Sequence, residues 1–125
     1  MSENEIGDAI IDSAIRVHRG LGPGLLESAY EACLIHSLKR AGLKVADQVE
    51  MAVHFEGVTI DVGYRIDLLV ENKVVVELKA VEMLRPIHTA QLLSYLRLGG
   101  YKLGYLLNFN VPVMRDGIKR LANKL

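Results

Sequence analysis

The stretch Tyr64–Ala80, YRIDLLVENKVVVELKA, constrains this chain more than any other. Two runs rich in Val, Leu and Ile flank Glu71-Asn72-Lys73, the pattern of a β-hairpin with a short polar connection. A three-residue loop pairs Val70 with Val74, Leu69 with Val75, Asp67 with Glu77 and Arg65 with Lys79. One face of the hairpin then carries Ile66, Leu68, Val70, Val74, Val76 and Leu78, all apolar and fit for burial. The other has Leu69 and Val75 at the loop end, with Arg65, Asp67, Glu77 and Lys79 gathered at the open end. A two-residue loop at Asn72-Lys73 would shift the register by one and mix charge into the buried side, so the three-residue loop is preferred.

Two carboxylates facing each other across a sheet repel, by up to ~1 kcal/mol in the absence of a partner. A cation resolves the repulsion. Oxygen donors without clustered thiols or paired histidines suit a hard ion, Mg²⁺ or Mn²⁺, rather than zinc. Lys79, two residues beyond Glu77, points to the same side and brings an ammonium there. A solvated hairpin end held by cross-strand ion pairs uses the same residues, and the hairpin alone leaves both readings open.

With 125 residues, half of them apolar and only three prolines, the chain is expected to form one folded domain with a real core. Its 15 basic and 15 acidic residues cancel, which argues against a broad basic surface for non-specific nucleic-acid binding. The single cysteine, Cys33, excludes an internal disulfide and a cysteine metal cluster, and is expected to be a small buried residue. The N-terminus has no basic and apolar leader pattern and no apolar run approaches a membrane span, so a cytoplasmic location is expected.

Apolar residues at Ile6, Ala9, Ile10, Ala14 and Val17 predict an amphipathic helix over residues 4–19. Gly20-Leu21-Gly22-Pro23-Gly24 breaks it with a tight turn. A second helix is predicted from Leu25 to Ala41, packed through Leu26, Ala29, Tyr30, Cys33, Leu34 and Leu38. Glu27 falls in its first turn, where the helix dipole favours a carboxylate, and Tyr30 lies on a neighbouring position of that face. Extended structure is predicted over residues 43–56 and 58–62, with His54 exposed. Pro86 opens a helix to Leu98 that turns Ala90, Leu92, Leu93 and Leu96 to the core and aligns His88, Gln91 and Tyr95 on one stripe. Residues 101–109 read as a strand reached by a crossover, and the tail shows loose helical spacing at Ile118, Leu121 and Leu125 after a turn at Met114–Gly117. Together these elements predict an α/β (α+β) fold.

Asp67 followed after nine residues by Glu77-Leu78-Lys79 resembles the D…ExK signature of the PD-(D/E)XK nuclease superfamily. Gln91 and Tyr95 resemble the Q-x-x-x-Y element of its RecB-like and lambda-exonuclease-like branch. Gly24, Glu27 and Tyr30 match the G-x-x-E-x-x-Y motif that names a group of small proteins in that superfamily. The resemblance covers nearly the whole chain, with Ile66 standing where the name-giving motif has proline. It implies a restriction-endonuclease-like core, a mixed sheet flanked by helices, with Glu27 brought toward Asp67 and Glu77. It further implies Mg²⁺ or Mn²⁺ held by Glu27, Asp67, Glu77 and the Leu78 carbonyl. Lys79 would act on the attacking water, and Gln91, Tyr95 and Tyr30 would position phosphate or lysine. Arg65 and His88 would lie around these. The implied function is metal-dependent hydrolysis of phosphodiester bonds, most readily in DNA, by a homodimer or with a partner protein. The alternative is a nuclease fold kept as a binding or assembly module without hydrolysis.

Overall fold

The computed structural model describes residues 1–125. Helix α1, Glu3–Leu21, starts at a reciprocal cap: Glu5 N–H donates to Ser2 Oγ (3.2 Å) and Ser2 N–H donates to Glu5 Oε1 (3.0 Å). Its buried stripe contains Ile6, Ile10, Ala14 and Val17, as the periodicity predicts. Helix α2, Glu27–Arg40, begins two residues later than expected. Leu26 is therefore a cap residue, 77% exposed rather than packed, while Tyr30, Leu34 and Leu38 form the buried face. Cys33 is half-buried.

Five strands follow in spatial order: β1 Val45–Phe55, β2 Val58–Val70, β3 Val74–Lys79, β4 Leu103–Asn108 and β5 Ile118–Ala122. The two short extended stretches anticipated between residues 58 and 70 are one strand, β2. Helix α3, Pro86–Gly99, carries the chain from β3 to its parallel neighbour β4, and every other pairing is antiparallel. The fold is thus α+β, a mixed sheet flanked by helices. The tail departs from its helical expectation: after a 3₁₀ turn at Met114–Gly117, Ile118–Ala122 pairs with β4. The open edge of β4 offers ladder hydrogen bonds that a three-residue apolar spacing does not reveal.

α1 and α2 cover one face of the sheet, meeting Leu68, Val70, Val74, Val76 and Leu78 of the hairpin and Leu103, Tyr105 and Leu107 of β4. α3 covers the opposite face through Leu92, Tyr95 and Leu96, against Met51, Ile66, Leu69, Val75 and Leu106. Full burial of a Leu or Val side chain contributes ~1.5–3 kcal/mol, so the two faces anchor the sheet between the helical layers. Ala90, expected to face this core, is exposed. No helix is long and apolar enough to cross a membrane.

Candidate functional site

The β2–β3 ladder runs Val70–Val74, Leu69–Val75 and Leu68–Val76, as the three-residue loop requires, and stops there. Alternation fails at the next step. Ile66 packs with Leu69 under α3 instead of with Leu68 under α1 and α2, which corrects its expected face. Strand β1 slips at the same level: Val45 packs against the first face and Val49 against the second, with Gln48 between them at φ 50°. A residue slipped out of alternation cannot keep regular ladder bonds on both sides.

Side chains fill the resulting gap. Leu78 N–H donates to Asp67 Oδ2 (2.9 Å), and Asp67 N–H donates to Glu77 Oε1 (3.3 Å). The two acids therefore do converge on one place, though by replacing ladder bonds rather than by facing each other as a ladder pair. Arg65 does not face Lys79; it lies beside Glu50 of β1 at 3.9 Å, both side chains exposed.

Glu77 is only 7% exposed. Burial, then the negative charge of Asp67 and a hydrogen bond between the two carboxyls, push its pKa up to about 9, against a smaller pull from the Asp67 N–H and Lys79. Glu27 stands at the first turn of α2, on the surface, yet surrounding protein displaces enough water to raise its pKa; Lys79 opposes that shift and Asp67 adds to it. Glu31, one turn further along α2, behaves alike: partial burial raises its pKa, its bond to Gln48 Nε2 (3.0 Å) lowers it, and Asp67 raises it again. Glu31 was missed in the sequence, although its spacing of four from Glu27 places both on one helix face. Asp67 is thus the charge common to Glu27, Glu31 and Glu77, and Lys79 is the cation felt by Glu27 and Glu77.

Tyr30 serves the turn before α2. Its hydroxyl donates to Gly22 O (2.6 Å) and accepts from Leu25 N–H (3.1 Å), and its ring stacks on Phe109 with centroids 4.7 Å apart. Gly24, at φ 98°, allows the chain to turn between those two bonds. Tyr30 thereby fixes where α2 begins and so where Glu27 stands. On the opposite face, Gln91 Nε2 donates to Tyr95 Oη (3.0 Å). Burial and then the charge of Glu77 raise the Tyr95 pKa, and Tyr64 leans against its ring at 6.1 Å. His88 is committed elsewhere: its Nδ1 accepts from Arg85 N–H at the start of α3 (3.0 Å). Buried Asn108, which sequence reasoning also missed, clamps the chain leaving Lys79, donating to Val81 O (2.9 Å) and accepting from Val81 N–H (3.1 Å).

In donor type the Asp67–Glu77 pair fits a hard divalent cation, since a buried carboxyl beside a second acid either keeps its proton or takes a metal. The Leu78 N–H points toward β2, and in a strand the carbonyl of the same residue points the same way, which aims Leu78 O to that side. No three His, Cys, Asp or Glu side chains converge into a closed metal cluster, so Glu27 is coupled to the pair by charge without completing it.

A mixed sheet between helical layers, opened at one strand level by an acidic pair with a lysine two residues on, defines a nuclease-type scaffold. Residues 4–121 match the PD-(D/E)XK nuclease superfamily, and the chain belongs to that superfamily. Membership suggests nuclease activity and contact with nucleic acid, and nucleases of this superfamily typically use divalent metal ions. A search of curated proteins gave no significant match. Neither did a search of solved structures.

Proposed function

We propose that residues 1–125 form one nuclease domain that hydrolyses phosphodiester bonds in DNA with Mg²⁺ or Mn²⁺, and that it belongs to the GxxExxY group of the RecB-like, lambda-exonuclease-like branch. The observation that carries this reading is the interlocked pair of Asp67 and Glu77, with Glu77 buried and its pKa raised by its neighbour. A buried Glu77 held against a half-buried Asp67 costs stability in a domain with only structural duties, and the two carboxylates are the donor set a phosphate-cleaving ion requires. Asp67, Glu77 and the Leu78 carbonyl would hold the ion, with Glu27 reaching it directly or through water. Once bound, the ion would neutralise charge on the phosphate and lower the pKa of an attacking water. Lys79 would orient that water and offset phosphate charge. Gln91 and Tyr95 would fix the phosphate from the α3 side, and Tyr30 would hold the helix start that carries Glu27.

A homodimer or a partner protein would help so small a domain grip DNA. The β1–β2 ribbon supports this reading, because Phe55, Val58, Ile60 and Val62 at its far end are exposed.

Purified protein with Mg²⁺ or Mn²⁺ is expected to cut DNA, and Glu77→Ala and Lys79→Ala to abolish cutting while leaving the circular dichroism spectrum unchanged. Equal cutting by both variants would mean that another site or a contaminant is responsible. The second reading, a silent nuclease fold that binds or assembles, is favoured by one observation: Glu27 does not close a three-acid cluster with the pair. Calorimetric titration with Mn²⁺ separates the two, since no binding at millimolar metal leaves only the silent module.

A further inference from the structure

The outer flanks of α1 and α2 enclose a cleft of about 630 Å³ that the acidic site does not use. Its polar wall is Ser13, Arg16, His36, Ser37 and Arg40, and Val17, Cys33 and Ala41 supply an apolar side. The spacing explains the wall: Ser13 and Arg16 lie three apart on α1, while Cys33–Ser37 and His36–Arg40 lie four apart on α2, so each helix presents one strip. No carboxylate lines the cleft, and neither guanidinium has an acidic partner, since Arg65–Glu50 is the one ion pair in the structure.

Ser13 supplies the sharper observation. It is 5% exposed, and its hydroxyl makes no hydrogen bond within the protein. No fully enclosed side-chain oxygen or nitrogen lacks a partner, so what remains open of the Ser13 hydroxyl faces the cleft it lines. A nearly buried donor without a partner, two guanidinium groups, an imidazole and a second hydroxyl together form an anion-recognition surface.

We propose that this cleft binds a small organic phosphate monoester of mononucleotide size. The forked guanidinium donors of Arg16 and Arg40 match phosphate oxygens, the Ser13 and Ser37 hydroxyls add neutral donors, and the Val17–Ala41 side accepts the organic part. The volume falls in the range of small-ligand sites, roughly 300–1,000 Å³, and exceeds what a bare phosphate fills. The site is separate from the acidic pair. His36 follows Glu27 by nine residues, which at 3.6 residues per turn is two and a half turns, placing it on the opposite side of α2 and roughly 13 Å along its axis. A phosphate held here is therefore a second ligand and not the scissile group.

The test is calorimetry and amide NMR on the full chain with three probes: adenosine monophosphate, inorganic phosphate and adenosine. Adenosine monophosphate is expected to bind and to shift the amides of residues 13–17 and 33–41, inorganic phosphate to compete more weakly, and adenosine not to bind. Arg16→Ala with Arg40→Ala should weaken adenosine monophosphate about tenfold or more. The paired Arg→Lys variant, which keeps charge but loses the fork, should fall between and guards against misfolding of the alanine variant. Glu77→Gln should change nothing here. The proposal is overturned by no binding of adenosine monophosphate at millimolar concentration, by adenosine binding equally well, by unchanged affinity in both arginine variants, or by amide shifts confined to residues 67–79.

Discussion

Replacing Glu77 by Gln should make the metal-free protein more stable at neutral and basic pH, although the change removes a residue assigned to the site. In the folded chain the Glu77 pKa is raised from 4.5 to about 9, first by burial and then by Asp67. Below pH 4.5 the carboxyl is protonated whether the chain is folded or not, and stability is independent of it. Between 4.5 and about 9 the folded chain retains a proton that the unfolded chain has released, so stability falls as pH rises. The slope for one proton is at most ~1.4 kcal/mol per pH unit, or at most ~3 kcal/mol from about pH 6 to about pH 8. For a domain whose total stability is ~5–15 kcal/mol, that loss is large.

Gln cannot ionise, and its side-chain oxygen can still accept the Asp67 N–H bond. Urea unfolding at a series of pH values, with chelator present, should show a falling slope in the natural chain and a flat one in Glu77→Gln over the same window. Added Mn²⁺ at about pH 8 should restore stability to the natural chain, by ~2.7 kcal/mol at a hundredfold excess over its dissociation constant, and do little for the variant. A natural chain whose stability is flat or rises through the window, or a variant that keeps the slope, would refute the account of a buried Glu77 carboxyl whose pKa its surroundings raise.

Tyr30→Phe removes the donor to Gly22 O and the acceptor of Leu25 N–H; urea unfolding should show a loss of ~1–3 kcal/mol, and DNA cleavage should slow as Glu27 loses its fixed place. Asn108→Ala strips the partners from both backbone groups of Val81 and should cost ~2–4 kcal/mol in the same assay. Glu31→Gln withdraws a negative charge that Asp67 feels, so titration calorimetry should show Mn²⁺ affinity reduced while the fold is kept.

The hairpin register near its loop, from Leu68–Val76 to Val70–Val74, was legible because the apolar alternation there excludes the competing loop. The helices were legible for the same reason, through Ile6–Val17 and Tyr30–Leu38. The slip at Gln48 and Asp67 was not. Strict alternation assigned Ile66 to the wrong face because only pairing between two strands, each slipping at the same level, shows where the pleat changes hands. Leu26 misled through hydrophobicity alone, since the cap position that exposes it is set by the Tyr30 hydroxyl eight residues from its Gly22 partner. Strand β5 escaped notice because five residues gain their stability from the open edge of β4, a property of a distant segment. Asn108 escaped as well, for its partner Val81 lies 27 residues earlier in the chain.

The slip that sequence reading missed is also what gathers the hairpin's acids into a candidate site. A perfect ladder from Val70 to Arg65 would have set Asp67 opposite Glu77 and Ile66 opposite Leu78, taken up their backbone groups in regular strand pairing, and left the carboxylates free to spread into water. Because alternation fails at this level, Leu78 N–H is satisfied by Asp67, and Asp67 N–H by Glu77, so each acid is fixed by the backbone of the other's strand. Two helices on opposite faces then bring the remaining groups: α2 brings Glu27 and Glu31, and α3 brings Gln91 and Tyr95. Straightening the sheet at Gln48 would therefore loosen the acidic pair even with every acid still present, so the pleat defect belongs to the candidate site as much as its carboxylates do.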